Sequence, residues 1–288
     1  MSIAYHPLIE ADQLAEWLAN PDIVSPLLLD CRFNLADPAA GEQHYLREHL
    51  PGAVYAHLDR DLSGTRIPGQ TGRHPLPHPE DWQTRLRDWG VNDDSTVVVY
   101  DQNNTMFAAR AWWLLRWAGV SRVQVLNGGV DAWQGPVQSG ADNHPHRAGN
   151  ITVTCPPDWV ISGKQVQDAL PDLTLLDARA LPRFLGEQEP LDARAGHIPG
   201  ARCADFTSNL DASGRFLEPA ALADRFAGVG NHQHTVSYCG SGVTACHNIL
   251  AMTLAGYPQP RLYAGSWSEW ITDPQRPIET DSSKEPLL

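Results

Sequence analysis

Two halves of this chain repeat one another, and such a repeat restricts the fold more than any single motif does. Leu28-Leu29-Asp30-Cys31-Arg32 returns as Leu175-Leu176-Asp177-Ala178-Arg179, and His49-Leu50-Pro51-Gly52-Ala53 returns as His197-Ile198-Pro199-Gly200-Ala201. Val98-Val99-Tyr100-Asp101 is answered by Val236-Ser237-Tyr238-Cys239, and the Gly128 to Trp133 stretch by Gly265 to Trp270. Four matches in one order, at slowly drifting spacing, imply a duplicated domain. With 288 residues to divide, each copy is long enough to bury a core of its own.

Within each copy, short β-rich runs alternate with helical patterns, which predicts an α/β fold built on a mainly parallel sheet flanked by helices. In the first copy the pattern predicts helices over 11–19, 79–89 and 105–117, with strands over 27–30, 53–55, 96–100 and 123–126. In the second it predicts helices over 162–170, 219–226 and 243–254, with strands over 173–176, 235–238 and 261–263. Residues 137–158 carry Gly, Pro, Asn and His without apolar periodicity and read as a linker between domains at 1–136 and 159–280. Residues 281–288 read as a polar tail.

A hydrophobic content of 42% with 19% charged residues is that of a soluble globular protein. The formal charge of −13 argues against nucleic acid or an anionic membrane as partner, though not against a locally positive pocket. No apolar run approaches the ~20 residues of a membrane span, and the N-terminus lacks the basic cluster and apolar core of a signal peptide. Five scattered cysteines with no Cys-x-x-Cys pair suit a reducing, cytoplasmic setting and offer neither a disulfide framework nor a zinc site.

The two copies differ most at Cys239. It falls in Tyr238-Cys239-Gly240-Ser241-Gly242-Val243-Thr244-Ala245, between a short β run and an apolar helix-forming stretch. In such a strand-to-helix turn the backbone N–H groups lack helical partners, and two glycines let the chain curl so that several point at one atom. Those donors and the helix dipole favour a thiolate, the reactive form of cysteine. Cys246, on the helix itself, reads instead as a small packed hydrophobe. A cysteine phosphatase would share the strand, loop and helix but would carry a loop arginine to grip phosphate. Here the corresponding residue is Ala245, and no arginine lies between Cys239 and Leu250.

Cys239-Gly240-Ser241-Gly242-Val243-Thr244-Ala245 resembles the active-site loop of 3-mercaptopyruvate sulfurtransferases in the rhodanese superfamily. Thiosulfate-specific relatives carry basic residues where Gly240 and Ser241 stand. The resemblance covers nearly the whole chain and implies two tandem rhodanese-like domains, the first of which has Asp101 in place of the cysteine. It further implies that Arg183, in Arg183-Phe184-Leu185-Gly186, binds the anionic donor, and that His74 reaches the active site with an aspartate best matched by Asp59. Related enzymes place a second arginine nine residues after the first, where this chain has Asp192; Arg194 is a possible substitute. A guanidinium suits either a carboxylate or thiosulfate, because two parallel N–H bonds fix its plane.

Residues present in both copies are expected to serve the fold, and those unique to one are free to serve chemistry. Asp30 and Asp177, Arg32 and Arg179, and His49 and His197 therefore read as internal ion pairs and turn hydrogen bonds. The histidines at 78, 144, 146, 232 and 234 read as solvent-facing, and most of the ten tryptophans as core.

The expected activity is sulfur transfer by covalent catalysis. Cys239 would take a sulfane sulfur from a small anionic donor, 3-mercaptopyruvate in preference to thiosulfate, and pass it to a thiol, cyanide or a small redox protein. Cys239, Ser241, His74 and Asp59 would be the catalytic residues. Arg183 would bind the donor with the backbone of Gly240, Gly242, Val243 and Thr244. No metal or organic cofactor is called for. The alternatives are a thiosulfate-specific enzyme and a non-catalytic module that binds partners or senses oxidants through Cys239.

Overall fold

The computed structural model describes residues 5–102, 104–141, 147–229, 234–281 and 287. The chain folds as two compact units. The first holds the residues up to Gly64, Pro77–Cys155 and Ser213–Arg215; the second holds Thr65–Leu76, Pro156–Ala212 and the residues from Phe216 on. Thr65–Leu76 thus belongs to the second unit although it lies in the first half of the sequence.

The first unit runs β1 (Leu8–Ile9), α1 (Ala11–Ala19), β2 (Leu27–Asp30), α2 (Ala40–Arg47), β3 (Ala53–Tyr55), α3 (Pro79–Asp88), β4 (Thr96–Tyr100), α4 (Met106–Trp117) and β5 (Arg122–Leu126). Its strands are parallel throughout, in the order β1-β5-β4-β2-β3. The central strand β4 carries Val97, Val98 and Val99, all fully buried, as expected of a parallel strand covered on both faces. Helix α4 is buried nearly all round, its Trp112 and Trp113 packed inside as the sequence predicts.

The second unit runs α5 (Gly163–Asp168), β6 (Thr174–Asp177), α6 (Leu181–Phe184), β7 (Arg202–Cys203), α7 (Pro219–Phe226), β8 (Thr235–Tyr238), α8 (Thr244–Leu254), β9 (Arg261–Leu262) and α9 (Ser266–Trp270). Its four parallel strands lie in the order β7-β6-β8-β9. Ser162 caps α5 in a reciprocal capping box with Gln165, which starts the helix one residue later than the periodicity predicts. Strand β8 is buried along its whole length and leads straight into Cys239, so the sheet delivers that residue to the tip between β8 and α8.

The repeated residues build the same internal structure in each unit. Arg32 grips Asp30 through Nε (3.0 Å) and Nη2 (2.6 Å), and Arg179 grips Asp177 at the same two distances. Each carboxylate also meets the strand tyrosine beside it, Tyr100 or Tyr238, and each tyrosine oxygen accepts from the backbone amide of Leu50 or Ile198. His49 and His197 are buried with Nδ1 on the carbonyls of Tyr45 and Phe184.

Of the loop histidines, His78 and His234 are exposed; His144, His146 and His232 lie outside the described residues, as do parts of the expected linker and tail. The five cysteines are free thiols. Among the described residues, no helix is long and apolar enough to cross a membrane.

Candidate active site

The β8–α8 turn curls around the Cys239 sulfur. Ser241 N–H (3.4 Å) and Gly242 N–H (3.1 Å) both donate to Sγ, and the residue is 2% exposed. Two backbone donors on one sulfur stabilise negative charge there without a lysine or arginine inside the loop. The curl depends on Gly242: its φ is +80°, and a Cβ at that position would sit 2.5 Å from the Ala264 carbonyl oxygen. Val243 is the N-cap of α8 and Thr244 its first residue, so both lie at the positive end of the helix.

Ser266 completes the loop, and no motif in the sequence marks it. Its hydroxyl accepts the Cys239 N–H (3.1 Å) and donates to the Tyr263 carbonyl (2.9 Å). Its φ of +54° lies in the left-handed region, which costs a non-glycine residue on the order of 1 kcal/mol. The equivalent residue of the first copy, Gly129, has φ of +61°, so both units carry a positive φ at this position. The two hydrogen bonds at the cysteine are what a serine gains there. The signal lies in the Gly128/Gly265 match, where the glycine that follows gives way to serine in the copy that keeps the cysteine.

The first copy shows what its loop does without a sulfur. Asp101 is fully buried and accepts from the amides of Thr105 (3.1 Å), Phe107 (2.8 Å) and Ala108 (3.1 Å). Burial lifts its carboxyl to about 6, with the three amides pulling the other way. A side-chain oxygen fills the cradle, leaving no nucleophile in it.

His74 comes to the cysteine loop on Thr65–Leu76. Gly72 lets that segment lie against the Gly265 carbonyl, where a Cβ would collide, and Ser268 Oγ receives the Arg73 amide (3.0 Å). His74 Nδ1 then stands 2.7 Å from Ser241 Oγ, both residues being buried. The sequence points to these two separately; the fold puts them in hydrogen-bond contact two residues from Cys239. Asp59 belongs to the first unit, exposed on the turn after β3, with its amide donating to His57 Nδ1.

Arg183 lies beside Gly240, with Nη2 at 3.5 Å from where a Cβ would be built. A second guanidinium is nearer still, and it is that of Arg73, at 2.9 Å. The sequence offers Arg194 for this charge; its backbone carbonyl accepts from Trp267 Nε1 (2.8 Å), and its Nη1 is buried with no hydrogen-bond partner among the described residues. Arg73 directly precedes His74, and that adjacency is the signal that could have found it; local sequence does not show that its guanidinium reaches Gly240.

Two carboxylates hold these cations. Glu189 accepts from Arg183 Nη2 (2.6 Å) and Nε (3.3 Å), and from Arg179 Nη1 (3.3 Å). Asp192 takes Arg73 Nη1 on one oxygen and Arg183 Nη2 (3.4 Å) on the other. Burial raises the Asp192 carboxyl; Arg73 opposes that, Glu189 reinforces it, and Arg183 and Arg179 oppose it more weakly. The position where the resemblance implies an arginine therefore holds the counter-ion of one.

A nucleophile under backbone donors, a serine–histidine pair next to it and a guanidinium pair at the loop suit attack on a small anionic donor. Comparison with known proteins shows the family. The rhodanese-like domain matches residues 10–136 and again 160–273. A Pseudomonas aeruginosa protein named "Probable 3-mercaptopyruvate sulfurtransferase" is 50% identical over 280 residues, covering 95% of this chain and 98% of that one. The "Thiosulfate/3-mercaptopyruvate sulfurtransferase 2" of Arabidopsis thaliana is 30% identical over 306 residues, covering 96% and 87%. The crystal structure of SseA from Escherichia coli, described with the mechanism of 3-mercaptopyruvate sulfotransferases, superposes with a TM-score of 0.77 at 34% identity, over 91% of this chain and 99% of that one. With both copies matched and the loop cysteine in the second, the chain belongs to the rhodanese family.

Proposed function

We propose that Cys239 carries a sulfane sulfur as a persulfide and that 3-mercaptopyruvate is the preferred donor, with thiosulfate second. The chain is a sulfurtransferase, and the observation that carries the finer reading is a Cys239 sulfur under two amides with the His74–Ser241 pair beside it. The Cys239 thiolate attacks the donor's sulfur: the Sγ–S bond forms, the S–C bond breaks, and its electron pair leaves as pyruvate enolate. Ser241, relayed by His74, supplies the proton that turns enolate into pyruvate. Ser241 and Gly242 amides stabilise Sγ, and those of Gly240, Val243 and Thr244 are assigned to the outer sulfur. An acceptor nucleophile, whether cyanide, a thiol or a small redox protein, then attacks that outer sulfur, and the S–S pair returns to Sγ.

Arg183, with Arg73, orients the donor's carboxylate by parallel N–H bonds. The same pair gives the thiosulfate reading its support, since a sulfonate fits two guanidiniums as well. What favours mercaptopyruvate is the serine–histidine relay, because sulfite leaves as an anion and needs no proton.

Steady-state kinetics with each donor and cyanide as common acceptor should show parallel-line, ping-pong patterns and a higher kcat/KM for 3-mercaptopyruvate. A preference for thiosulfate would hand specificity to the arginines and remove the relay from the mechanism. The relay has its own check. Ser241→Ala and His74→Ala are expected to lower kcat with mercaptopyruvate by about 10²-fold, and to lower it with thiosulfate far less. Equal losses with both donors would mean that the pair only shapes the loop.

A further inference from the structure

Two cations at the loop would ordinarily favour the more highly charged donor, and two buried carboxylates stand against that. Arg73 and Arg183 bring two positive charges to Gly240, while Glu189 and Asp192 bring two negative ones. Behind them Arg179 and Asp177 cancel one another. Glu189 is shared between Arg183 and Arg179 and so belongs to the buried framework. Asp192 differs: its partners are the two guanidiniums that face the loop, and its side chain is only 5% exposed. Water screens such a carboxylate poorly, so its field reaches whatever anion binds between those arginines.

We propose that Asp192 is a specificity-determining residue, a built-in carboxylate that holds the donor site near electrical neutrality and thereby selects monoanionic over dianionic donors. This rests on the reading of Cys239 as the sulfur carrier. Repulsion by one fixed charge scales with the charge on the ligand, so a thiosulfate dianion feels twice what a mercaptopyruvate monoanion feels. Asp192 also holds the Arg73 side chain in place. The donor therefore finds both guanidiniums oriented but only part of their charge unspent.

The test is Asp192→Asn, which keeps the size and removes the charge, with Asp192→Glu as the charge-retaining control. Neutralisation should raise kcat/KM for mercaptopyruvate roughly fivefold and that for thiosulfate by about the square of that factor. A second readout needs no sulfur transfer at all: alkylation of Cys239 by iodoacetate and by iodoacetamide, followed by mass spectrometry. The iodoacetate-to-iodoacetamide rate ratio should rise several-fold in Asp192→Asn and stay near the parent value in Asp192→Glu. An unchanged or lowered ratio in Asp192→Asn overturns the proposal, as do equal changes with the two donors. If the ratio rises while neither donor is turned over, the charge role stands and the sulfur-transfer reading fails.

Discussion

Replacing Cys239 by serine is expected to lower transfer from either donor by at least about 10³-fold while leaving the fold intact. The side chain is nearly enclosed, and a hydroxyl occupies less space than a thiol and can accept the same Ser241 and Gly242 amides. What it cannot do is become an anion at neutral pH or hold a transferable sulfur. The parent protein, treated with donor in the absence of acceptor, should gain the mass of one sulfur on the peptide containing Cys239 and lose it on adding cyanide. The serine variant should gain nothing. Residual turnover within about tenfold of the parent would defeat the persulfide mechanism. Uptake of oxygen in place of sulfur by the parent would identify a redox sensor in an enzyme's fold.

The second large effect concerns stability. Asp177→Ala should destabilise the second unit by about 3–5 kcal/mol, because it leaves the Arg179 guanidinium enclosed with its main counter-ion gone. Asp177 accepts from Arg179 Nε (3.0 Å), Arg179 Nη2 (2.6 Å) and the Arg179 amide (3.0 Å), while Gly196 O (2.7 Å) and Glu189 supply what remains. The first copy provides a matched control, since Asp30→Ala strips Arg32 in the same geometry and leaves it the Glu48 carbonyl at 2.5 Å. Urea unfolding followed by tryptophan fluorescence should show a lowered midpoint in each variant. Losses under about 1 kcal/mol in both would mean that water or a rearranged carboxylate replaces the missing partner. The Asp177 variant carries a further consequence: Arg179 shares Glu189 with Arg183, so releasing Arg179 should also weaken donor binding.

Local pattern accounts for most elements that are legible in the sequence. The strands at Leu27–Asp30, Ala53–Tyr55, Thr96–Tyr100 and Thr235–Tyr238 and the helices at Ala11–Ala19 and Pro219–Phe226 lie where periodicity places them. Elements that it does not show are short or weakly patterned. β1 and β7 have two residues each, too few for an alternation to register. Helix α2 buries only Gly41 and Tyr45, which is one i,i+4 pair in a polar segment. The short α6 and α9 leave the same problem, since four or five residues do not complete a periodic stripe.

By itself the sequence determined the α/β class and the doubling of the domain, and it supplied Cys239 as the proposed nucleophile and Asp101 as its counterpart in the first loop. All four rest on residues adjacent in the chain or on comparison of one copy with the other. Tertiary structure alone decided which charges join Arg183 near Cys239. Arg73 and Asp192 are 119 residues apart, and His74 and Ser241 are 167 apart. No periodicity or turn chemistry operates over such distances. Those pairs meet because Thr65–Leu76 leaves its own half to pack with the second unit, and close packing at Gly72 with the hydrogen bond to Ser268 holds it there. That packing brings the Arg73 guanidinium beside Gly240 of the cysteine loop, and an aspartate standing where an arginine was expected becomes its counter-ion.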